Sequence, residues 1–232
     1  MKVPIALSYS RLSTYQDCPY KFKSQYIDKD YPDESDNPHF ARGSRIHKQL
    51  EDYTIWSLNK TETVGSEPAM SAEAGNGRNI INNVVDNYDS VVPERQLAAN
   101  MDWVKCDWYA KPTEVKYRAI VDLMAIRGDE GLMIDWKTGK VREYAGFGGQ
   151  LHLSGSMIMS MLPSLETLKL TYMYVDHKQS SSIELKRSDL QENVEHFNEQ
   201  YEIVNNDEEF KPTKHKYCNF CLIKDRCPLY GK

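Results

Sequence analysis

Two apolar segments joined by a short turn constrain the fold more than any other feature of this chain. Residues 119–126 read Ala-Ile-Val-Asp-Leu-Met-Ala-Ile and residues 132–136 read Leu-Met-Ile-Asp-Trp, which is the composition of buried strands. Gly128 and Gly131 flank Asp-Glu between them, a combination typical of turns. The sequence therefore predicts a β-hairpin that carries Asp122 on one strand and Asp135 on the other.

The remaining pattern predicts an α/β fold with a helical N-terminal part. Helical spacing of apolar residues recurs from Phe40 to Leu58. After Pro93, the core order is predicted to be β-β-β-α-β-α, a mixed central sheet flanked by helices. The predicted elements of this core are strands at Glu94–Val104, Glu114–Ile126, Leu132–Trp136 and Thr167–Val175, and helices at Tyr144–Met161 and from Ser188 to Val204. We expect one domain, with a helical portion at 1–92, an α/β core at 93–206 and a cysteine-containing tail at 207–232.

Size and charge exclude some classes of protein. With 232 residues, 40% of them hydrophobic, the chain can bury a real core. A net charge of −5 argues mildly against bulk attraction to nucleic acid, although a carboxylate site lowers the net charge by itself. No apolar run is long enough for a membrane helix, and Met1–Leu7 is too short for a secretory signal. A cytoplasmic location is expected, where five cysteines favour metal or redox chemistry over disulfides.

Asp122, Asp135 and Lys137 form the strongest candidate for chemistry. Asp135 and Lys137 are two residues apart and so project to the same side of a strand. Asp122 lies across the hairpin. Two carboxylates can hold Mg²⁺ or Mn²⁺, while a nearby ammonium orients water or offsets developing charge, which suits phosphodiester hydrolysis. Taken alone, an Asp-x-Lys pair is more often a solvated ion pair.

The surroundings of this pair resemble the RecB-like branch of the PD-(D/E)XK nuclease superfamily. Val121-Asp122 is followed by Ile134-Asp135-Trp136-Lys137-Thr138-Gly139, which is similar to that branch's strand ending in Asp and its Asp-aromatic-Lys-Thr-Gly motif. The resemblance implies a restriction-endonuclease-like core and metal-dependent hydrolysis of DNA. It also implies that Asp122 and Asp135 are metal ligands and that Lys137 is catalytic.

Three further positions resemble motifs of this branch, in the same order along the chain. Gly43-Ser-Arg-Ile-His47 is similar to its Gly-x-x-x-His motif, which implies that His47 is a third metal ligand. An imidazole ligand shifts the preference from Mg²⁺ toward Mn²⁺. Gln150 begins a stretch similar to Gln-x-x-x-Tyr, with Ser154 in place of Tyr, and is implied to contact DNA or the attacking water. Glu94 resembles a position that is often acidic and is expected near the metal ligands rather than among them.

The tail carries Cys218, Cys221 and Cys227 in a Cys-x2-Cys-x5-Cys pattern. Cys18 is the one distant cysteine with local motif character, and four thiolates can complete a tetrahedral or cluster site. His215 with the three tail cysteines could instead supply four zinc ligands, which leaves Cys18 free. Cys106 reads as an ordinary buried thiol.

The pattern of one early and three late cysteines resembles the iron–sulfur members of the same branch, including CRISPR-associated exonucleases and the AddB nuclease domain. The resemblance implies a 4Fe–4S cluster on Cys18, Cys218, Cys221 and Cys227 that joins the two ends of the domain. Colour distinguishes the two alternatives, since an iron–sulfur protein absorbs visible light and a zinc protein does not.

The sequence as a whole predicts a DNA exonuclease of replication, recombination or repair. A structure-specific endonuclease or nickase and a non-catalytic DNA-binding adaptor remain alternatives. No phosphate-binding loop of the Walker type occurs, so no ATP requirement is expected. DNA is the expected partner, and other recombination or replication proteins could join it. Basic residues near the motifs are expected to follow phosphates. These residues are Arg42, Arg45, Lys48, Lys140 and Arg142.

Overall fold

The structure is a computed structural model that describes residues 5–34, 37–60, 65–141 and 147–230. Its centre is a mixed five-stranded sheet in the order β1-β2-β3-β4-β5. Neighbouring strands run antiparallel except for β3 and β4, which are parallel and are connected through a helix. The strands are β1 (Ser90–Ala99), β2 (Tyr117–Arg127), β3 (Glu130–Lys137), β4 (Thr167–Tyr174) and β5 (Gln179–Lys186).

Helices cover both faces of the sheet. The helices are α1 (Tyr9–Asp17), α2 (Pro19–Phe22), α3 (Pro38–Asn59), α4 (Ala72–Gly75), α5 (Arg78–Asn87), α6 (Gln150–Met161) and α7 (Leu190–Asn206). A π-helical turn, Lys23–Asp28, extends α2, and two short 3-10 turns, Cys218–Phe220 and Lys224–Arg226, lie in the tail. Within the described ranges, no helix is both long and apolar enough to cross a bilayer. The predicted mixed sheet flanked by helices, with a helical N-terminal part, is confirmed.

Two apolar layers sandwich the sheet. On one face, α6 and α7 pack against the sheet together with α1 and α2, through side chains that include Leu12, Phe22, Leu151 and Phe197. On the other face, α3 and α5 contribute Ile46, Leu50 and Ile81. Both layers contain side chains from β2 and β3, which makes this hairpin the centre of the fold.

Capping residues and proline account for the starts of two N-terminal helices. Ser8 accepts a hydrogen bond from the backbone N–H of Arg11 and so caps α1, and Pro19 occupies the first turn of α2. Ser188 does not cap α7, because Asp189 holds that position and the Ser188 hydroxyl instead bonds the Asp189 carboxylate.

The predicted elements differ from the structure mainly at the edges of the sheet. β1 covers Ser90–Ala99 rather than 94–104, so the sheet starts before the expected boundary at residue 93. β5 was not predicted at all. Its residues, Gln-Ser-Ser-Ser-Ile-Glu-Leu-Lys, bury only Leu185 because the strand lies at the edge, and a strand with so little apolar alternation gives no sequence signal. The helix expected from Tyr144 begins at Gln150, and residues 142–146 lie outside the described part.

Candidate active site and cysteine site

Three adjacent strands bring three carboxylates side by side. The β2–β3 ladder ends at the pair Leu123–Ile134, so Asp122 and Asp135 occupy the next positions of the two strands. In the β1–β2 ladder, Pro93 pairs with Leu123 and Arg95 with Val121, which puts Glu94 beside Asp122. The register of the sheet therefore lines up Glu94, Asp122 and Asp135, although these residues are far apart in sequence.

The regular pleat of the sheet is interrupted at this row. Val121 and Met124 both pack in the layer of α6, whereas Leu123 packs in the layer of α3, so simple alternation fails at Asp122. Glu94 has a φ of 47°, a left-handed conformation that is uncommon for a non-glycine residue. Strained backbone of this kind concentrates at functional sites, where it directs a side chain that a regular strand would not.

Asp135 lies deepest of the three carboxylates, with 4% of its surface exposed. Gln150 Nε2 donates to Asp135 Oδ1 at 2.7 Å. Lys137 Nζ lies 2.5 Å from Asp135 Oδ2 and donates to Gln150 Oε1 at 2.9 Å, so the three side chains form a closed ring. Burial and repulsion from Asp122 raise the pKa of Asp135 to about 6, although Lys137 opposes this rise.

Lys137 is held in place by more than its partners in the ring. Its ammonium lies 5.0 Å from the centroid of the Tyr172 ring, which is a favourable cation–π position. Tyr172 is the residue of β4 that pairs with Asp135 of β3, so the same strand register that presents the carboxylate also presents the ring.

Asp122 connects the strands to helix α3. Its Oδ2 accepts a hydrogen bond from the backbone N–H of Trp136 at 2.7 Å, and its Oδ1 lies 3.3 Å from His47 Nδ1. Burial by itself would lower the pKa of His47, but the hydrogen bond and the charge of Asp122 raise it above the ordinary value. His47 therefore faces the carboxylate row, in the orientation that a ligand on α3 requires.

A divalent metal fits this arrangement. Ligand atoms of His47, Glu94 and Asp122 all lie within 4.8 Å of one another. Carboxylate oxygens and an imidazole suit Mn²⁺ or Mg²⁺. Asp135 Oδ2 is buried and receives no hydrogen bond of normal geometry from the described residues, which leaves lone pairs for a cation. Burial and the neighbouring charges of Asp122 and Glu51 raise the pKa of Glu94 to about 7, so an added positive charge would relieve repulsion there.

Glu94, expected only near the metal ligands, brings a carboxylate oxygen close to His47 and Asp122. Asp135 lies beside this group within the ring of Lys137 and Gln150. The sequence carries no local signal for the position of Glu94, because that position depends on its left-handed backbone. The cavity in front of the group has a volume of about 580 Å³ and is bordered by α3 and by Ile120 and Thr138.

The four cysteines of the predicted cluster line a single small cavity. Cys18, at the start of α2, faces Cys218, Cys221 and Cys227 of the tail, and His215 borders the same cavity. Cys18, Cys218 and Cys227 are buried. The structure thus brings together all five candidate ligands, including the one that lies about 200 positions away in sequence.

The spacing of these ligands bears on what they could hold. A single zinc ion with Zn–S bonds of about 2.3 Å would draw its sulfur ligands to within ~4 Å of one another. Among the described residues, the cysteines and His215 provide no group of three ligand atoms within 4.8 Å, whereas His47, Glu94 and Asp122 do. The cavity therefore gathers the candidate ligands of both the cluster and the zinc site.

Protein contacts also hold the tail against the N-terminal helices. Arg226 donates to both carboxylate oxygens of Asp30, at 2.6 and 3.0 Å, and to Ser24 Oγ at 2.9 Å. Tyr20 donates to the carbonyl oxygen of Arg226 at 3.1 Å. Tyr15 donates to Asp207 at 2.7 Å, where the tail leaves α7. The two ends of the domain are therefore joined around the cysteines on several sides.

The residues predicted to contact DNA differ in whether neighbouring carboxylates already form ion pairs with them. Arg42 binds Asp176 and Glu73, and Lys48 binds Glu51 and Asp52, so carboxylates already neutralise both. Arg45 and Lys140 are exposed, and neither forms an ion pair with a described residue. Arg142 lies outside the described residues. Asp176, which the sequence did not single out, also accepts a hydrogen bond from the backbone N–H of Gly139 and so ties the turn after β3 to α3.

Comparison with known proteins agrees with this geometry. The family model of the PD-(D/E)XK nuclease superfamily matches residues 6–228, nearly the whole chain. Searched against curated proteins, the sequence gives no match. Among solved structures, one titled "Crystal structure of SSO0001" aligns with 14% identity and a TM-score of 0.45, over 95% of this chain and 86% of that one. The sheet and its helices fit the restriction-endonuclease-like fold expected from the sequence, and the chain belongs to the PD-(D/E)XK nuclease superfamily.

Proposed function

We propose that this protein is a metal-dependent DNA exonuclease of the RecB-like branch. Membership of the superfamily indicates a metal-dependent nuclease. The observation that carries the proposal is the adjacency of two groups: the possible ligands His47, Glu94 and Asp122, and the ring of Asp135, Lys137 and Gln150. One group suits cation binding and the other presents an ammonium at the same edge of the sheet, which is the combination that phosphodiester hydrolysis needs.

In this proposal, His47, Glu94 and Asp122 hold the metal, and Asp135 adds a carboxylate oxygen. A bound Mn²⁺ or Mg²⁺ polarises the phosphate and lowers the pKa of water. Asp122 keeps its orientation because Trp136 donates a backbone hydrogen bond to the oxygen that does not face His47. His47 presents Nδ1 from α3, so closure of the site depends on how α3 packs on β2.

Lys137 and Gln150 serve the attacking water and the phosphate. The ammonium of Lys137 sits between Asp135 and the Tyr172 ring, and this surrounding keeps a positive charge close to the cleaved bond. Developing negative charge on the phosphate is offset by such a fixed cation. Gln150 positions Lys137 by accepting from it and positions Asp135 by donating to it. Gln150 also borders a cavity on the far side, where a DNA strand can approach.

A digest of matched linear and circular DNA tests the exonuclease mode. We expect loss of linear single- or double-stranded DNA in Mn²⁺, without ATP, while covalently closed circles stay intact. Endonuclease activity on the same fold would instead nick or linearise the circles. A non-catalytic adaptor would bind both substrates and cut neither. Because the lysine and all the proposed ligands are present, an adaptor role is the weakest of the three.

We propose further that Cys18, Cys218, Cys221 and Cys227 bind a 4Fe–4S cluster with a structural role. All four line one cavity, and Cys18, Cys218 and Cys227 are buried there. Protein purified without oxygen should be brown and contain iron and acid-labile sulfide. A colourless protein with one zinc per chain would favour the site of His215 and the tail cysteines. Neither outcome changes the proposal for hydrolysis, which uses other residues.

A further inference from the structure

A second cavity is lined by Gln150 and Ser154 of α6 and by Ile120 of β2. Its volume is about 440 Å³, within the range of roughly 300–1,000 Å³ of small-ligand sites. It shares Ile120 with the cavity in front of His47, so the two are neighbours. The side chains that line it come from the start of α1, from β2, from α6 and from the loop that carries Trp108. The two cations among them are Arg11 and Arg118.

These two arginines lack carboxylate partners among the described residues. Arg11 donates one hydrogen bond, to the carbonyl oxygen of Ala6 at 2.6 Å, and Arg118 donates one, to that of Ala110 at 2.9 Å. Arg118 Nε is buried without a hydrogen-bond partner in the described part of the chain. A guanidinium has five donors, so bonds to the described residues use only a small part of this capacity. Arg42, in contrast, meets two carboxylates.

The two arginines also place like charges around one cavity. Burial, together with the charge of Arg118, lowers the pKa of Arg11, although the nearby Tyr26 opposes this shift. Two like charges in a half-buried cavity are costly unless an anion joins them. The N-terminal end of α1 adds to the positive field there, because residues 8–11, its cap and first turn, line the same cavity.

The neighbouring loop holds Arg118 in place. The guanidinium carbon lies 5.5 Å from the centroid of the Trp108 ring, and Ala110, two residues further, supplies the carbonyl oxygen that accepts its hydrogen bond. A cation on an aromatic face keeps its orientation while its remaining N–H groups stay free to bind. The fold thus orients a cation that it does not neutralise.

We propose that Arg11 and Arg118 together bind one phosphate of the DNA strand, next to the phosphodiester that is cleaved. The proposal rests on the proposed nuclease function and names how the substrate strand is held. Gln150 lines this cavity and also bonds Lys137 and Asp135, and Ile120 lines both cavities, so the strand would pass from one cavity to the other along Gln150 and Ile120. One phosphate is expected rather than two, because a single anion relieves the repulsion between both arginines.

Binding of a labelled oligothymidine strand in Ca²⁺ tests this proposal. The variants are Arg11→Gln, Arg118→Gln and the double variant. Arg127→Gln serves as the matched control, since Arg127 is an exposed arginine at the other end of β2. Each single variant should weaken binding about 10- to 100-fold, as expected when a charged hydrogen bond to phosphate is lost. In the double variant, the plot of log K against log salt concentration should become shallower by about 0.7, the value for one phosphate on a single strand, because neither cation then neutralises that phosphate.

The double variant separates one shared phosphate from two. If both arginines bind the same phosphate, each single variant should keep most of the wild-type salt slope, because the remaining arginine still neutralises that phosphate. Two separate phosphates would instead change the slope by about 0.7 in each single variant and by twice as much in the double variant. Arg118→Lys keeps the charge and should keep the slope, although not the full affinity. Melting temperatures identify any variant that fails to fold. If the Arg118 variants do not fold, the binding measured for Arg11→Gln alone tests the proposal. Wild-type affinity and slope in the arginine variants would overturn the proposal.

Cleavage kinetics in Mn²⁺ distinguish this proposal from the nuclease assignment itself. The arginine variants should raise KM by about the factor measured in binding and leave kcat within about threefold. If the wild-type protein binds the strand and cleaves no DNA, the nuclease assignment fails, while the binding data still judge the phosphate site. If it cleaves and the arginine variants match Arg127→Gln, only the phosphate site fails.

Discussion

The catalytic row and the cysteine tail are built by opposite means. Glu94, Asp122 and Asp135 are aligned by three neighbouring strands, next to the ladder pairs Pro93–Leu123, Arg95–Val121 and Leu123–Ile134. In its described part, through residue 230, the tail has no strand and two single-turn 3-10 helices, Cys218–Phe220 and Lys224–Arg226. Side-chain contacts such as Arg226 with Asp30 hold it in place. The sheet itself therefore positions the proposed catalytic residues, whereas the proposed cluster would supply part of what holds the cysteine site together.

This difference leads to opposite consequences of losing a metal. Removing the divalent ion should stop hydrolysis and leave the sheet folded, because the hydrogen bond from Trp136 and the ring of Lys137 persist without it. Removing the cluster should loosen the junction of the two ends and leave the catalytic groups chemically intact. The variants below test each half of this contrast.

The largest effect is expected from the catalytic carboxylates. Asp122→Asn and Asp135→Asn should each reduce hydrolysis to background, because the lost charge weakens the metal site directly. Both variants should stay folded, since an amide oxygen can still accept the bond from Trp136 N or from Gln150. Asp129→Asn, in the exposed turn of the same hairpin, is the matched control and should be fully active. Hydrolysis by the Asp135→Asn protein would contradict the proposed catalytic role of these carboxylates.

The cysteine site should give the largest effect on stability. Closing a loop from Cys18 to the tail stabilises a protein by ~4–5 kcal/mol, by analogy with a disulfide of similar span. Cys18→Ala should therefore lose colour and melt at a lower temperature. The contacts of Arg226 and Tyr15 keep part of the junction, so aggregation should precede complete unfolding. Asp135→Asn should remain coloured and stable.

Two control variants sharpen that result. Cys106 is half-buried and outside the cavity, near the carbonyl oxygen of Val104, so Cys106→Ala should keep colour and stability. His215→Ala distinguishes a cluster from zinc. It should leave the melting temperature nearly unchanged in a cluster protein and lower it in a zinc protein. If neither Cys18→Ala nor His215→Ala changes the melting temperature, the site does not join the ends of the chain.

A smaller effect is expected from Lys137. Lys137→Ala should lower kcat by about 10²–10³-fold, the usual effect of losing one group that stabilises transition-state charge. Divalent metal binding, measured by calorimetry, should remain. Lys169→Ala, on the exposed side of β4, is the control. Wild-type turnover in Lys137→Ala would show that the ring around Asp135 is structural.

The smallest effect should come from the exposed cations near α3. Arg45→Gln should weaken DNA binding by less than about threefold, equally for all sequences, because one solvated phosphate contact contributes little. Lys140→Gln should behave in the same way. Arg42→Gln should instead lower the melting temperature, since it leaves Asp176 and Glu73 without their partner. A changed sequence preference in Arg45→Gln would indicate base readout.

The sequence predicted what depends on local pattern. The hairpin that carries Asp122 and Asp135, helix α3 with His47 and a helix that contains Gln150 follow from apolar spacing, turn residues and motif order. The start of that last helix was expected at Tyr144 and lies at Gln150. Edge strand β5 could not be predicted, because burying only Leu185 leaves it without alternation. The place of Glu94 depends on a left-handed backbone, and that of Arg11 and Arg118 on a cavity between distant segments. Neither has a signature within a short window of sequence.

Metal-dependent cleavage by one preparation of wild-type and Asp135→Asn protein tests the central claim most directly. Linear DNA is incubated with each protein in EDTA and then in increasing Mn²⁺, without ATP, and released nucleotides are counted. We predict no release in EDTA, release that rises and saturates with Mn²⁺ for the wild type, and none at any Mn²⁺ concentration for Asp135→Asn. Equal release by the two proteins, or release by the wild type that persists in EDTA, would contradict the account.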